Sequence, residues 1–136
     1  MNAIATQLFR FATPAPAHRV WAALTTTRYL YGLAPSSDWR PGAAVVFAGE
    51  GTTLSGEVLA AEEPRRLSHS LRAGDGQPET YVTWEVAEDG NGSIVRLYVD
   101  EPAAPDDDAE TESAWLHVVG RLQSVLAGSG VGDRRL

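Results

Sequence analysis

The tetrapeptide Asp89-Gly90-Asn91-Gly92 sits between two runs in which apolar and polar residues alternate, and it ties those runs into a β-hairpin. Asn-Gly tolerates the positive φ angles of a type I′ turn, so that turn is the expectation here. On one arm, Thr80 to Ala87, the residues Val82, Trp84 and Val86 alternate with Tyr81, Thr83 and Glu85. On the other, Ser93 to Asp100, the residues Val95, Leu97 and Val99 share one face. The chain must therefore contain antiparallel sheet with an apolar face that something else has to cover.

Further strands are expected on both sides of this hairpin. Upstream lie Ala44 to Ala48, Thr52 to Ala61 with Leu54, Gly56, Val58 and Ala60 on one side, and Arg65 to Arg72. Turn residues separate them at Trp39-Arg40-Pro41-Gly42, Gly49-Glu50-Gly51, Pro64 and Ala73-Gly74-Asp75-Gly76. Ala3 to Ala12 is a first strand, broken by Thr13-Pro14-Ala15-Pro16, where proline starts a helix carrying Val20, Trp21 and Leu24. A second short helical turn is expected through Tyr29, Leu30 and Leu33. The three threonines Thr25-Thr26-Thr27 suit capping between the two.

After the loop Glu101 to Asp108, acidic residues at Asp106-Asp107-Asp108, Glu110 and Glu112 complement a helix N-terminus. That helix runs from about Ala109 to Ala127, with Trp115, Val118, Val119, Leu122, Val125 and Leu126 on one stripe. Gly128-Ser129-Gly130 is expected to stop it, leaving residues 128–136 as a flexible tail after a single domain at 1–127. The order is strand, two short helices, about five strands, long helix. This is an α+β chain, whose economical fold is a curved antiparallel sheet wrapped around the long C-terminal helix. Curvature leaves the two surfaces imperfectly filled, and that gap is where a ligand could sit.

Composition removes several chemistries. Eleven basic against eighteen acidic residues give a net charge of −7, which opposes nucleic-acid phosphates and anionic lipid surfaces. With no cysteine there is no disulfide framework or thiolate nucleophile, and with no lysine no Schiff base or Walker lysine. No run reaches the ~18 apolar residues of a membrane span, and Met1 to Gln7 lacks the flank and core of a signal peptide, so a cytoplasmic location without membrane insertion is expected.

Four stretches carry a resemblance: Thr13-Pro14-Ala15-Pro16 through Val20-Trp21-Ala22-Ala23-Leu24-Thr25; Trp39-Arg40-Pro41-Gly42-Ala43; Ser55-Gly56-Glu57-Val58 with Glu63-Pro64-Arg65-Arg66-Leu67; and Tyr81-Val82-Thr83-Trp84-Glu85-Val86 with Gly90, Gly92 and Arg96-Leu97. In this order, continued by Trp115-Leu116 and Leu122, they resemble the SRPBCC (START-like) superfamily. The match is to its branch named after the activator of the heat-shock-protein-90 ATPase. The resemblance spans roughly residues 3 to 127 and implies a helix-grip fold enclosing an elongated, mostly apolar cavity. It does not imply one function, because that superfamily includes lipid carriers, receptors, cyclases and chaperone regulators. The chain departs from the branch where a tryptophan often follows the second helix: it has Tyr29, Tyr31 and Gly32 there, which alters the cavity mouth. Ala43 also replaces a usual second glycine.

His69 shares strand parity with Leu67 and Leu71 and so points with the apolar face. It is either a hydrogen-bond donor or general acid/base toward a carbonyl ligand, or a core histidine bonded to a neighbour; the core reading is favoured. Trp84 and Trp115 face inward from sheet and helix, as pocket wall or as plug, and both readings stay open. With Val118, Val119, Leu122 and Tyr98 they make up the expected ligand-binding set, although the direction of Tyr98, like that of Tyr81, is unsettled by the pattern. Glu57 and Glu85 are expected to face solvent rather than act as an acid–base pair. His18, His69 and His117 lack the spacing of a metal pair, so neither a metal nor a cofactor is expected, and no catalytic motif is present. Asn91-Gly92-Ser93 matches a glycosylation sequon but reads as hairpin.

Three functions are carried forward from these residues together with what the resemblance implies. The first is binding of a small apolar or amphipathic molecule, lipid-like or polyketide-like, in an internal cavity. The second is a cyclase- or hydratase-type enzyme using the same cavity. The third is a chaperone-interacting regulatory module, with a chaperone or other protein partner or a homodimer as its assembly.

Overall fold

A computed structural model describes residues 4–74, 78–102 and 108–131. Seven strands form one antiparallel sheet: β1 (Ile4–Thr13), β2 (Ala34–Ser37), β3 (Ala44–Gly49), β4 (Thr52–Glu62), β5 (Arg66–Leu71), β6 (Thr80–Asp89) and β7 (Gly92–Pro102). Two helices accompany them, α1 (Ala17–Thr26) and α2 (Asp108–Val131). The spatial order β1-β7-β6-β5-β4-β3-β2 is a meander from β2 to β7, with β1 added beside β7. Since β1 and β2 are opposite edges, the chain must cross from one to the other, and α1 with the turn after it makes that crossing. It does so over the apolar face: Tyr29 meets Trp84 of β6 edge to face, ring centroids 5.8 Å apart. The expected α+β architecture, a curved antiparallel sheet with a long C-terminal helix, is the one observed.

The apolar rows behind the hairpin run straight across the sheet. Phe9, Leu97, Trp84 and Leu67 are successive cross-strand partners, as are Gln7, Val99, Val82, His69 and Val58. The stripe Trp115, Val118, Val119, Leu122 and Leu126 of α2 is buried in the same core, with α2 against α1 and β1. The threonines bond back into the last turn rather than cap open carbonyls: Thr25 donates to the Trp21 carbonyl (3.0 Å), Thr26 to Ala22 (2.6 Å) and Thr27 to Ala23 (2.7 Å), and the Ala23 carbonyl also accepts the Thr27 N–H (3.2 Å).

Four local expectations are corrected. No second helix follows α1: Tyr31 (φ 52°) and Gly32 (φ 74°) are left-handed, which a right-handed helix cannot absorb, and the chain turns into the unforeseen edge strand β2. Pro35 is tolerated there because an edge strand can dispense with a donor. In the hairpin, Asp89 pairs with Gly92, so Gly90 and Asn91 are the central residues. Only Gly90 (φ 62°) of the two is left-handed, the pattern of a type II′ rather than a type I′ turn. In β4 the register shifts between Val58 and Ala60, so Ala61, opposite Leu67, takes the core side instead of Ala60. Finally, α2 continues through Gly128-Ser129-Gly130 to Val131, since glycine weakens a helix without forbidding it. Residues 132–136 of the expected tail, the Asp75-Gly76 turn and Asp106-Asp107 lie outside the described residues.

At Gly56 the backbones of β4 and β5 approach closely. A Cβ there would run into the Ser70 carbonyl oxygen, so only glycine fits the backbone approach. The Glu57 amide instead bonds the Ser70 hydroxyl at 3.0 Å, and Ser55 and Arg72 resume backbone pairing beyond it.

Candidate functional site

His69 is 1% exposed and lies on the core side of β5, between Val58 and Val82. Its ring tilts over Phe47 with centroids 5.5 Å apart, and Nδ1 lies 3.1 Å from the Ser70 carbonyl oxygen. Donation from Nδ1–H to that oxygen puts the neutral ring's lone pair on Nε2, which is buried with no hydrogen-bond partner among the described residues. Burial pushes the imidazole down to about 4, only partly offset by the Ser70 carbonyl. A proton shuttle at neutral pH needs access and a matched pKa, and this ring has neither.

Trp84, Val118 and Leu122 are equally enclosed, each 1% exposed or less, and Val119 is buried. They join His69 in the packed core. The Trp84 indole N–H donates to the Tyr29 hydroxyl, and burial holds that phenol far above its ordinary value. Tyr98 falls between buried Leu97 and Val99, opposite exposed Leu8, and therefore lies on the outer face of the sheet. Glu57 is exposed, and Glu85 is paired loosely with Arg66 at 4.0 Å. Of the expected binding residues, Trp115 alone lines either of the two clefts described next.

These clefts open at the end of the sheet where the apolar rows give way to polar ones. One, of about 210 Å³, has Tyr31, Leu54, Leu71, Arg72, Thr80, Glu101 and Trp115 in its wall. The other, about 670 Å³ and open to solvent, lies between the turn after α1 and the β3–β4 hairpin, against Arg28, Leu33, Glu50 and Thr52. Tyr31 and Leu54 line both and so form their partition.

Each wall residue is set by its element. The left-handed backbone at Tyr31 turns its ring toward Trp115, with centroids 6.4 Å apart. Trp115, on the buried stripe of α2, donates its indole N–H to Glu101 Oε2 at 3.1 Å. Burial, and secondarily the Glu101 charge, raise the Tyr31 phenol above its ordinary value. Thr80 and Leu71 are cross-strand partners at the ends of β6 and β5. Arg72 follows at once, its Nε buried without a hydrogen-bond partner among the described residues. The arrangement can bind: it offers two aromatic rings and two leucines beside one cation, one carboxylate and two hydroxyls, those of Tyr31 and Thr80. Among the described residues no cluster of histidine and carboxylate side chains could hold a metal. No helix among them is long and apolar enough to cross a membrane.

A curved seven-stranded antiparallel sheet with a long C-terminal helix against its core face defines a helix-grip protein. The family described as Activator of Hsp90 ATPase homolog 1-like protein matches residues 14–127, and the chain belongs to it. CalU16 from Micromonospora echinospora is similar in structure (TM-score 0.72, 24% identity, 96% of this chain and 88% of that one). DynU16, a protein of the dynemicin biosynthetic locus, has a TM-score of 0.79 at 24% identity, and the match covers 91% of this chain but 48% of DynU16. An HSP90 activator from Plasmodium falciparum has a TM-score of 0.71 at 15% identity, over 90% of this chain and 96% of that one. At these identities the likeness is one of fold. No protein of curated function matches the sequence.

Proposed function

We propose that this chain binds a small apolar or amphipathic molecule at the open end of the sheet, with Trp115 and Tyr31 as its aromatic wall. The observation that supports this reading is the cleft itself. It sets rigid aromatic and aliphatic side chains around a few polar groups, the composition of small-molecule sites. A lipid-like or polyketide-like body suits such a wall. The expected position deep between sheet and α2 gives way to the mouth, because His69, Trp84, Val118 and Leu122 are each almost fully buried in the core. Proton-transfer catalysis in the cyclase or hydratase manner loses its chief candidate when His69 is sealed away from both clefts.

Native mass spectrometry of gently purified protein tests the reading. The wild type is expected to carry a co-purified compound, and Leu54→Trp, which fills the partition from a half-buried rim position, is expected to lose it while melting at the same temperature. Bare wild-type protein, or equal retention in the variant, contradicts the proposal.

A second reading, regulation of a chaperone ATPase, is favoured by the family match and by the neighbour described as an HSP90 activator. It predicts that the purified chain changes the ATPase rate of its cognate chaperone; an unchanged rate removes it.

A further inference from the structure

Building on the cleft as binding site, we infer that its ligand is a ring-bearing monocarboxylic acid whose carboxylate pairs with Arg72. Arg72 lines the smaller cleft, and its Nε is buried with no hydrogen-bond partner among the described residues. The salt bridges among the described residues join Arg40 to Asp38 and Arg66 to Glu85, and neither involves Arg72. That is notable in a chain with eighteen acidic and eleven basic residues, where carboxylates are plentiful. A guanidinium N–H withdrawn from water without a partner is costly, and a carboxylate restores the loss through the forked geometry that suits it.

The rest of the wall restricts what the carboxylate is attached to. Tyr31, Leu71 and Trp115 offer an apolar body aromatic and aliphatic contact. The cleft, about 210 Å³ and open to solvent, has room for one ring with a short acid arm. Glu101 sets the charge limit. Its Oε2 is held by the Trp115 indole, so the carboxylate stays in the wall, and its repulsion grows with the negative charge of the guest. A monoanion is accepted and a dianion, such as a phosphate monoester, is disfavoured.

Isothermal calorimetry on the full chain with 3-phenylpropanoate, 3-phenylpropanamide and 2-phenylethyl phosphate separates these contributions. The acid is expected to bind about tenfold more tightly than the amide, the scale of one hydrogen bond to a charged group, and the phosphate no more tightly than the amide. In Arg72→Gln the acid falls to the amide's affinity while the amide is unmoved. Should that variant fail to fold, Glu101→Gln provides the second arm, with phosphate affinity rising several-fold. Equal binding of acid and amide by the wild type, or a preference that survives Arg72→Gln, overturns the inference and leaves the cleft as a binding site. An unchanged phosphate affinity in Glu101→Gln overturns the charge limit. Absence of heat with all three compounds at millimolar concentration takes down both the inference and the reading on which it rests.

Discussion

Trp84→Ala is expected to lower the unfolding free energy by about 4 kcal/mol, the range for removing a large aromatic from a packed core. For a chain of this size that is a fall in melting temperature of roughly 12 °C. The indole is 1% exposed, sits between Leu97 and Leu67 in the central inner row, and meets Tyr29 edge to face. Truncation leaves a cavity in the middle of the sheet and strips the buried Tyr29 hydroxyl of its donor, so lost packing and an orphaned polar atom add. Trp84→Phe keeps most of the volume and loses only the N–H, and should cost about 1–2 kcal/mol. Thermal and urea unfolding followed by circular dichroism read both. A loss below about 1 kcal/mol for Trp84→Ala would mean that this side chain is not the buried centre of the core.

The second large effect is one of pH. Folded His69 titrates at about 4, against ~6.5 for an ordinary histidine in the unfolded chain. Between those values the unfolded state holds a proton that the folded state refuses. Stability therefore falls as pH drops below about 6.5 and reaches its full loss, about 3 kcal/mol, near pH 4. Between pH 6.5 and 5.5, above most carboxylate titration, the loss should be about 1 kcal/mol. His69→Leu removes that slope whatever it does to absolute stability, while His18 and His117, both exposed, remain in place. Equal slopes in wild type and variant over that interval would show that the buried imidazole is not the group responsible.

The regular parts of this molecule were legible because they are periodic. Val82, Trp84 and Val86 against Val95, Leu97 and Val99 specify a hairpin with one buried face, and the α2 stripe specifies what covers it. Parity also placed His69 correctly on the core side. What escaped was aperiodic. β2 is four residues, Ala-Pro-Ser-Ser, without a β-branched or aromatic side chain to announce a strand. The bulge beside Leu59 changes which alanine faces inward, and a single extra residue leaves no mark on composition. The cleft was the least legible feature. Its wall combines a left-handed tyrosine in a turn, the ends of β5, β6 and β7, and one tryptophan of α2, positions brought together only by the register of the sheet. Trp115 alone was foreseen there. Two signals pointed toward the rest: the Tyr29-Leu30-Tyr31-Gly32 departure at the expected mouth, and an arginine closing a strand of alternating apolar residues.

Amide chemical-shift mapping of isotopically labelled protein titrated with 3-phenylpropanoate tests most directly whether guests enter at the mouth. The account predicts that the residues which move, with the indole N–H of Trp115 among them, gather at Tyr31, Leu54, Leu71 and Thr80, and that Val118 and Leu122 stay still. Shifts centred on His69, Val118 and Leu122, shifts on the outer face around Tyr98, or no shifts at saturating probe would contradict it.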